Sequence, residues 1–322
     1  MSRNKAFMTF FAVMLSLGIG LAEERPSTSF VSLDFPGAVS TSASGINAEG
    51  DVVGGYTDKA GTTHGFLLRG GRWTSIDYPG AISTGLRGIN RQGDMVGTHV
   101  DTPGLPGGGV HGFLLQNGDF TDVNYPGHMN TIPVRITEDG QIVGCYHDTD
   151  TMGTMHGFVF NNGEYTALDG SYQNIDVPAS MNNGVTSDAG ALAGLYTDMM
   201  TGTTHGYVVT GGVFAPFDFP FSRLTAAWDM NRFGDIVGVY TDTSKNGHGF
   251  LLTSGDSDSD SDASLQSGLK GPFNFVSVDY PGAATTSAFG INSRGDVVGS
   301  YVDSAKTTHA FLLRRARRRL DD

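Results

Sequence analysis

Six histidines in this chain each follow an aspartate by a few residues: Asp58 with His64, Asp101 with His111, Asp148 with His156, Asp198 with His205, Asp242 with His248 and Asp303 with His309. A carboxylate that orients an imidazole is half of a catalytic triad. The same two groups, at the end of one strand and the start of the next, can also hydrogen-bond across a hairpin and fix it. Repetition decides between these readings. An active site is needed once and a structural clip in every repeat, so the pairs are expected to hold hairpins. No Gly-x-Ser-x-Gly, His-Glu-x-x-His, Cys-x-x-Cys or phosphate-binding glycine loop is present.

Positions that break an internal repeat are released from its structural duty and are better candidates for function. His99 stands where the sister copies carry Tyr56, Tyr146, Tyr196, Tyr240 and Tyr301. His128 stands where three copies carry Ala38, Ala81 and Ala283, and His147 where others carry Thr57, Val100, Thr197, Thr241 and Val302. With Arg135, Asp148 and Asp150 these histidines form a candidate binding set on the second and third repeats, near the face that bears the Asp–His hairpins. Three imidazoles and a carboxylate could hold a divalent transition metal. The alternative is three unrelated packing or surface histidines. No other cofactor is indicated. Asp256, Asp258, Asp260 and Asp262 alternate with serines, but lack the turn glycine and closing glutamate of a calcium loop. The single cysteine, Cys145, reads as a small packing residue.

The elements that must position these side chains are short strands. A His-Gly-aromatic motif opens at His64, His111, His156, His205 and His248, and a sixth copy reads His309-Ala310-Phe311. Each unit contains four strand-like pieces. In copy one the first ends in Gly45-Ile46-Asn47, and a tight turn closes at Gly50. The second runs Asp51 to Asp58, the third His64 to Leu68, and the fourth Trp73 to Asp77, ended by Tyr78-Pro79-Gly80. The second and third pieces are apolar on consecutive positions, which means that both of their faces are covered. Four strands per unit of about 40–45 residues is the pattern of a propeller blade.

The phase of the repeat argues for closure. The chain opens its repeats with a lone fourth strand, Val31 to Asp34, and finishes after a third strand, His309 to Leu313. The expected fold is therefore all-β, a six-bladed β-propeller of four-stranded repeats, closed by the N-terminal strand joining the last blade. An open β-solenoid is the alternative, and it would not need the shift.

Composition bounds the rest. The chain has 322 residues, 47 of them glycine, and only 16% are charged, which suits many tight turns and few helices. A formal net charge of -13 disfavours a nucleic-acid partner, which requires a basic face. Arg3 and Lys5 precede an apolar run ending in Gly20-Leu21-Ala22, so residues 1–22 read as a secretory signal, with one repeat domain over 23–322. Within that domain, 253–272 is a low-complexity insertion and 314–322 a basic tail. No later segment is apolar enough to span a membrane as a helix.

The run Gly290-Ile291-Asn292, Gly295-Asp296-Val297-Val298-Gly299 with Tyr301, Asp303 and His309-Ala310-Phe311 resembles the HAF repeat of bacterial extracellular proteins. Six matches cover about residues 30–315; copies three and four depart most, at Arg135-Ile136-Thr137 and Gly184-Val185-Thr186. The resemblance implies an exported bacterial protein and carries no established reaction. Two functions then compete. One is a secreted, monomeric, non-catalytic module holding an extracellular glycan or protein on a propeller face. The other is a secreted hydrolase or lyase acting on an extracellular polymer. Repetition with few departures favours binding.

Overall fold

The computed structural model describes residues 29–101, 109–128, 130–147, 155–167, 185–186, 191–198, 200–210, 213–254 and 273–315. The signal segment, most of the expected insertion and most of the basic tail lie outside these residues, as do Asp148 and Asp150.

The described residues form strands and turns in six four-stranded antiparallel blades. Blade one is β2 (Ser40–Ile46), β3 (Val52–Thr57), β4 (Thr63–Arg69) and β5 (Arg72–Ile76). Blade two is β6 (Ser83–Ile89), β7 (Met95–Val100), β8 (Val110–Gln116) and β9 (Asp119–Asp122). Blade three is β10 (Thr131–Ile136), β11 (Ile142–His147), β12 (Met155–Asn161) and β13 (Glu164–Ala167). Blade four is β14 (Val185–Thr186), β15 (Leu192–Asp198), β16 (Thr203–Thr210) and β17 (Val213–Phe217). Blade five is β18 (Leu224–Met230), β19 (Ile236–Thr241), β20 (Gly247–Ser254) and β21 (Phe273–Val278). A single parallel bridge, Thr204 to Leu224, joins blades four and five.

Blade six is β22 (Thr285–Ile291), β23 (Val297–Val302), β24 (Thr308–Arg314) and, as its outer strand, β1 (Ser29–Leu33). The β1 register runs from Ser29 opposite Arg314 to Leu33 opposite Ala310. The phase shift is thus used for closure, as the sequence reading expects of a propeller and not of a solenoid.

The paired valines of the second strands explain how the blades cohere. Val52 packs with Phe66 of its own blade, whereas Val53 enters the core of blade two with Leu86 and Phe113. Val96 likewise enters blade three, Val237 blade six, and Val298 blade one. Consecutive apolar residues point to opposite faces of a strand, so each second strand links two cores. The last of these links runs from blade six to blade one, so the apolar contacts cross the closure. At the core of each blade the motif aromatic lies over a second-strand glycine. At Gly54 a Cβ would sit 2.0 Å from the Ser42 carbonyl and 2.9 Å from the Phe66 ring, so no other residue fits.

The linkers between blades end in Pro-Gly turns with the glycine left-handed, as at Gly37 with φ 82°. Among the described linkers one departs: Phe221 takes this position at φ 62° and is 92% exposed. A bulky L-residue there is strained by about 1–2 kcal/mol. Phe221→Gly should therefore raise stability by about 1 kcal/mol, seen as a higher urea midpoint at unchanged slope.

Candidate functional site

Inner strands of five blades carry β-bulges at one level, between Ala43 and Gly45, Leu86 and Gly88, Pro133 and Arg135, Ala227 and Asp229, and Ala288 and Gly290. Three of these positions are glycine, and neighbouring backbones approach closely there: a Cβ on Gly45 would lie 2.7 Å from the Arg87 carbonyl. The other two are Arg135 and Asp229, which meet across the axis with Nε 3.1 Å from Oδ1. Arg135 Nη1 also donates to the carbonyls of Arg87 (2.9 Å) and Val134 (2.8 Å). Its Nη2 donates to those of Trp228 and Phe289. Asp229 accepts from the Met230 N–H at Oδ1 and the Ile291 N–H at Oδ2, each at 2.9 Å. Burial pushes the Asp229 carboxyl upward, opposed by attraction to Arg135 and by these N–H bonds. One guanidinium thus ties blades two, three, five and six into a plug across the channel.

The plug floors a cavity of about 350 Å³ that opens on the face of the inner turns. Above the floor lies an apolar girdle of Ile46, Ile89, Ile136, Met230 and Ile291. Next comes a belt of side-chain amides. Asn47 Nδ2 donates to the Asn90 carbonyl, Asn90 to Thr137, Asn231 to Asn292, and Asn292 back to Asn47, at 3.1–3.4 Å. Each of these asparagines also closes its own turn, as Asn47 Oδ1 does by accepting the Asp51 N–H at 2.9 Å. The belt is why Asn recurs after Gly-Ile. The rim above it varies from blade to blade: Arg91, Gln92, Glu138, Arg232 and Ser293. Arg91 and Gln92 lean on Glu138 and Glu49, whereas Arg232 lies over the Phe233 ring at 4.9 Å and has no carboxylate partner among the described residues.

The Asp–His hairpins lie on the opposite face. His64 Nδ1 bonds Asp77 of the fourth strand at 2.8 Å, and Nε2 reaches the hairpin Asp58 at 3.4 Å. His309 sits likewise between Asp34 at 2.9 Å and Asp303 at 3.4 Å. His248 lies between Asp279 at 2.9 Å and Asp242 at 3.6 Å, and His205 bonds Asp218 at 2.9 Å. The shorter partner is thus a fourth-strand aspartate that the sequence reading did not pair. Asp198 caps its own hairpin through the Met200 N–H, and Asp101 bonds His99 at 2.7 Å in place of His111. In blade two, Asn124 replaces the fourth-strand aspartate and takes the Gly112 N–H. The expected Asp101–His111 and Asp198–His205 hydrogen bonds are therefore not formed. His156 is placed on β12, but its expected partner Asp148 lies outside the described residues.

A ladder of rings runs beside each clip. Phe35 stacks on Tyr56 at 3.7 Å, and Tyr56 stacks on His64 at 5.0 Å. In blade two His99 takes the middle place, stacked at 3.6 Å on Tyr78, whose hydroxyl donates to Asp122. That bond holds the Tyr78 phenol up at about 12.

Burial alone would lower the His64 and His309 pKa values. Bonds and attraction from Asp77 and Asp58, and from Asp34 and Asp303, outweigh it and hold both above the ordinary value. A folded-state pKa above the unfolded one stabilises the protein below about 6.5, and this contribution fades as pH rises through the raised value. The His64→Gln, His309→Gln double variant should therefore lose less stability than the parent between about pH 6 and 8, as read by urea unfolding at each pH.

Among the described members of the candidate binding set, His128 and His147 meet, while Arg135 stands apart in the axial plug. His99 is 3% exposed and locked in its ladder, while His147 is 2% exposed. His128 Nδ1 bonds the His147 carbonyl at 3.0 Å and its ring packs against Tyr125 and Tyr146. Among the described residues no three His, Cys, Asp or Glu side chains form a metal-holding group. Arg135 belongs to the axial plug and not to the hairpin face, because its bulge turns it into the channel. Cys145 is buried, and burial pushes its thiol up to about 12, so it is no nucleophile.

No family model and no curated protein matches the chain. Solved structures match the fold. A protein of unknown function from Dyadobacter fermentans aligns with TM-score 0.53 at 11% identity, covering 91% of this chain and 99% of its own. A variant of AofleA from Arthrobotrys oligospora aligns with TM-score 0.51 at 13% identity, covering 89% and 86%. The SapL1 lectin in complex with alpha methyl fucoside aligns with TM-score 0.51 at 10% identity, covering 88% and 98%.

Proposed function

We propose that this chain is an exported, non-catalytic glycan-binding propeller of the HAF-repeat kind, and that the axial cavity holds the sugar. The observation that carries this reading is the cavity's composition. About 350 Å³ suits a small polar ligand, and the rim offers a different polar group from each of several blades. At its floor, Asp229 Oδ1 accepts the Met230 N–H and faces Arg135 while Oδ2 accepts the Ile291 N–H, so this carboxylate is engaged in holding the plug. The SapL1 lectin, whose fold this chain resembles, is seen with a methyl fucoside, which supports a sugar as ligand class.

The test is a screen of neutral and acidic glycans followed by calorimetry with the parent and with an Arg232→Ala, Gln92→Ala variant. These side chains stand on the rim and outside the cores, so the variant should keep the parent's unfolding midpoint. Loss of about 1–2 kcal/mol of binding is expected, as for two polar contacts. Turnover of a glycan by the parent, lost in the variant, would instead establish the hydrolase or lyase. Equal binding by both proteins would place the sugar elsewhere.

A further inference from the structure

The channel carries one more cation than the plug neutralises. The carbonyls of Arg87, Val134, Trp228 and Phe289 all converge on the Arg135 guanidinium, so these four residues stand at one level around the axis. On the inner strands the alternate residues Ala43, Leu86, Ala227 and Ala288 are buried in blade cores. Ser44, Arg87, Trp228 and Phe289 are the extra residues of the bulges, which re-aim side chains out of the strand alternation. The Trp228 and Phe289 rings of neighbouring blades meet there, and Arg87 lies within electrostatic reach of Arg135. These four residues lie one residue from the plug, on the side of the Asp–His hairpins.

Two donors at this level are unspent. Asp229 answers the charge of Arg135, but no described residue gives the Arg87 guanidinium a hydrogen bond or an ion pair. The Trp228 indole Nε1–H is buried without an acceptor among the described residues. Burial holds the Arg87 pKa below its ordinary value and Arg135 lowers it further, yet a guanidinium in a protein stays charged. Arg87 is partly buried, and an anion meeting a partly desolvated charge is gripped more strongly than on an open surface.

We propose that the central channel, on the hairpin side of the Arg135–Asp229 plug, binds one compact oxyanion between the Arg87 guanidinium and the Trp228 indole N–H. Arg87 supplies the paired N–H groups that fit a carboxylate or sulfate, and Trp228 a further donor. The Trp228 and Phe289 rings, edge to face at 5.5 Å, add an apolar wall. A uronate sugar and free sulfate share the chemistry. The site lies across the plug from the axial cavity and does not depend on what that cavity holds.

The experiment measures thermal unfolding and calorimetry of the full chain with sodium sulfate, sodium glucuronate or glucose, at fixed ionic strength in chloride. Sulfate, glucuronate or both should bind one to one and raise the midpoint saturably, whereas glucose should not. Binding of glucuronate alone would identify the sugar acid as the source, and binding of both would show that the anion suffices. Arg87→Ser, which installs the residue found at Ser44, should weaken binding by about tenfold or more, the scale of a charged hydrogen bond. In chloride alone that variant should be at least as stable as the parent. Trp228→Phe provides a second reading, since it removes the donor and keeps an aromatic wall, and it should weaken binding severalfold. Arg232→Ala, on the other side of the plug, should leave anion binding unchanged even if glycan binding is lost. Equal midpoint shifts in parent and Arg87→Ser, or no saturable shift in the parent, would overturn the proposal.

Discussion

Asp229→Gly is expected to lose about 3–5 kcal/mol of stability, close to the limit that a domain of ordinary stability survives. The substitution restores the residue of the sister bulges Gly45, Gly88 and Gly290, so the backbone accepts it. The cost is electrostatic. Without the carboxylate, Arg135 is left charged and enclosed, held by carbonyl dipoles, and beside it stands Arg87, which has no counter-ion among the described residues. Removing one partner of a buried pair costs more than removing both. Arg135→Gly with Asp229→Gly should therefore be more stable than Asp229→Gly alone, despite carrying two changes. Urea unfolding of the parent, both single variants and the double gives the coupling directly, and about 2–3 kcal/mol is expected for contacting charges. Additive losses would mean that the two residues act separately and that the ring is held by its blade cores alone.

The plug is the part of the fold that no local sequence pattern displays. The repeat was legible because each blade repeats the same physical problems. A second strand must serve two cores, giving apolar pairs such as Val52-Val53, and a ring must lie over a strand, giving Gly54 and its sisters. Closure was legible because a lone fourth strand has no other use. The site was not. Arg135 was visible as a departure, but its partner Asp229 lies two blades away, in Trp228-Asp229-Met230, and no local spacing connects them. The fourth-strand aspartates were missed for a related reason. Asp77 follows His64 by 13 residues and Asp279 follows His248 by 31, so only strand pairing brings them together. Of the histidines that break the consensus, His99 is answered inside its own blade. His99 fills a ring position, and Asp122 stands in place of the Ser75 that the Tyr56 hydroxyl bonds in blade one, taking the Tyr78 hydroxyl instead. A departure that is answered inside its own blade is a repacking. The departures that mattered are answered across the axis.

Removing residues 23–34 is expected to open the ring, with a loss on the order of 5 kcal/mol, a large share of the stability of a typical domain. The estimate follows from what β1 contributes. Phe30 packs edge to face on Tyr280 and Phe311, and Leu33 packs against the core that blade one shares with blade six. Each such side chain is worth about 1.5–3 kcal/mol when fully buried, and these two are half-buried. Five residues of ladder pairing are lost with them, as are the bonds of Ser32 to Tyr301 and Asp34 to His309. The net worth of a hydrogen bond is about 1 kcal/mol. The exposed β24 would also present a free edge, and free edges recruit other chains. The truncated protein should unfold at lower temperature and associate as it does so, seen by light scattering. A synthetic peptide spanning residues 29–37 should restore the midpoint in proportion to its concentration, because it binds the folded form only. Peptide rescue separates closure by β1 from a general loss of chain length. An unchanged midpoint after truncation would mean that the other interfaces between blades hold the ring without the strand.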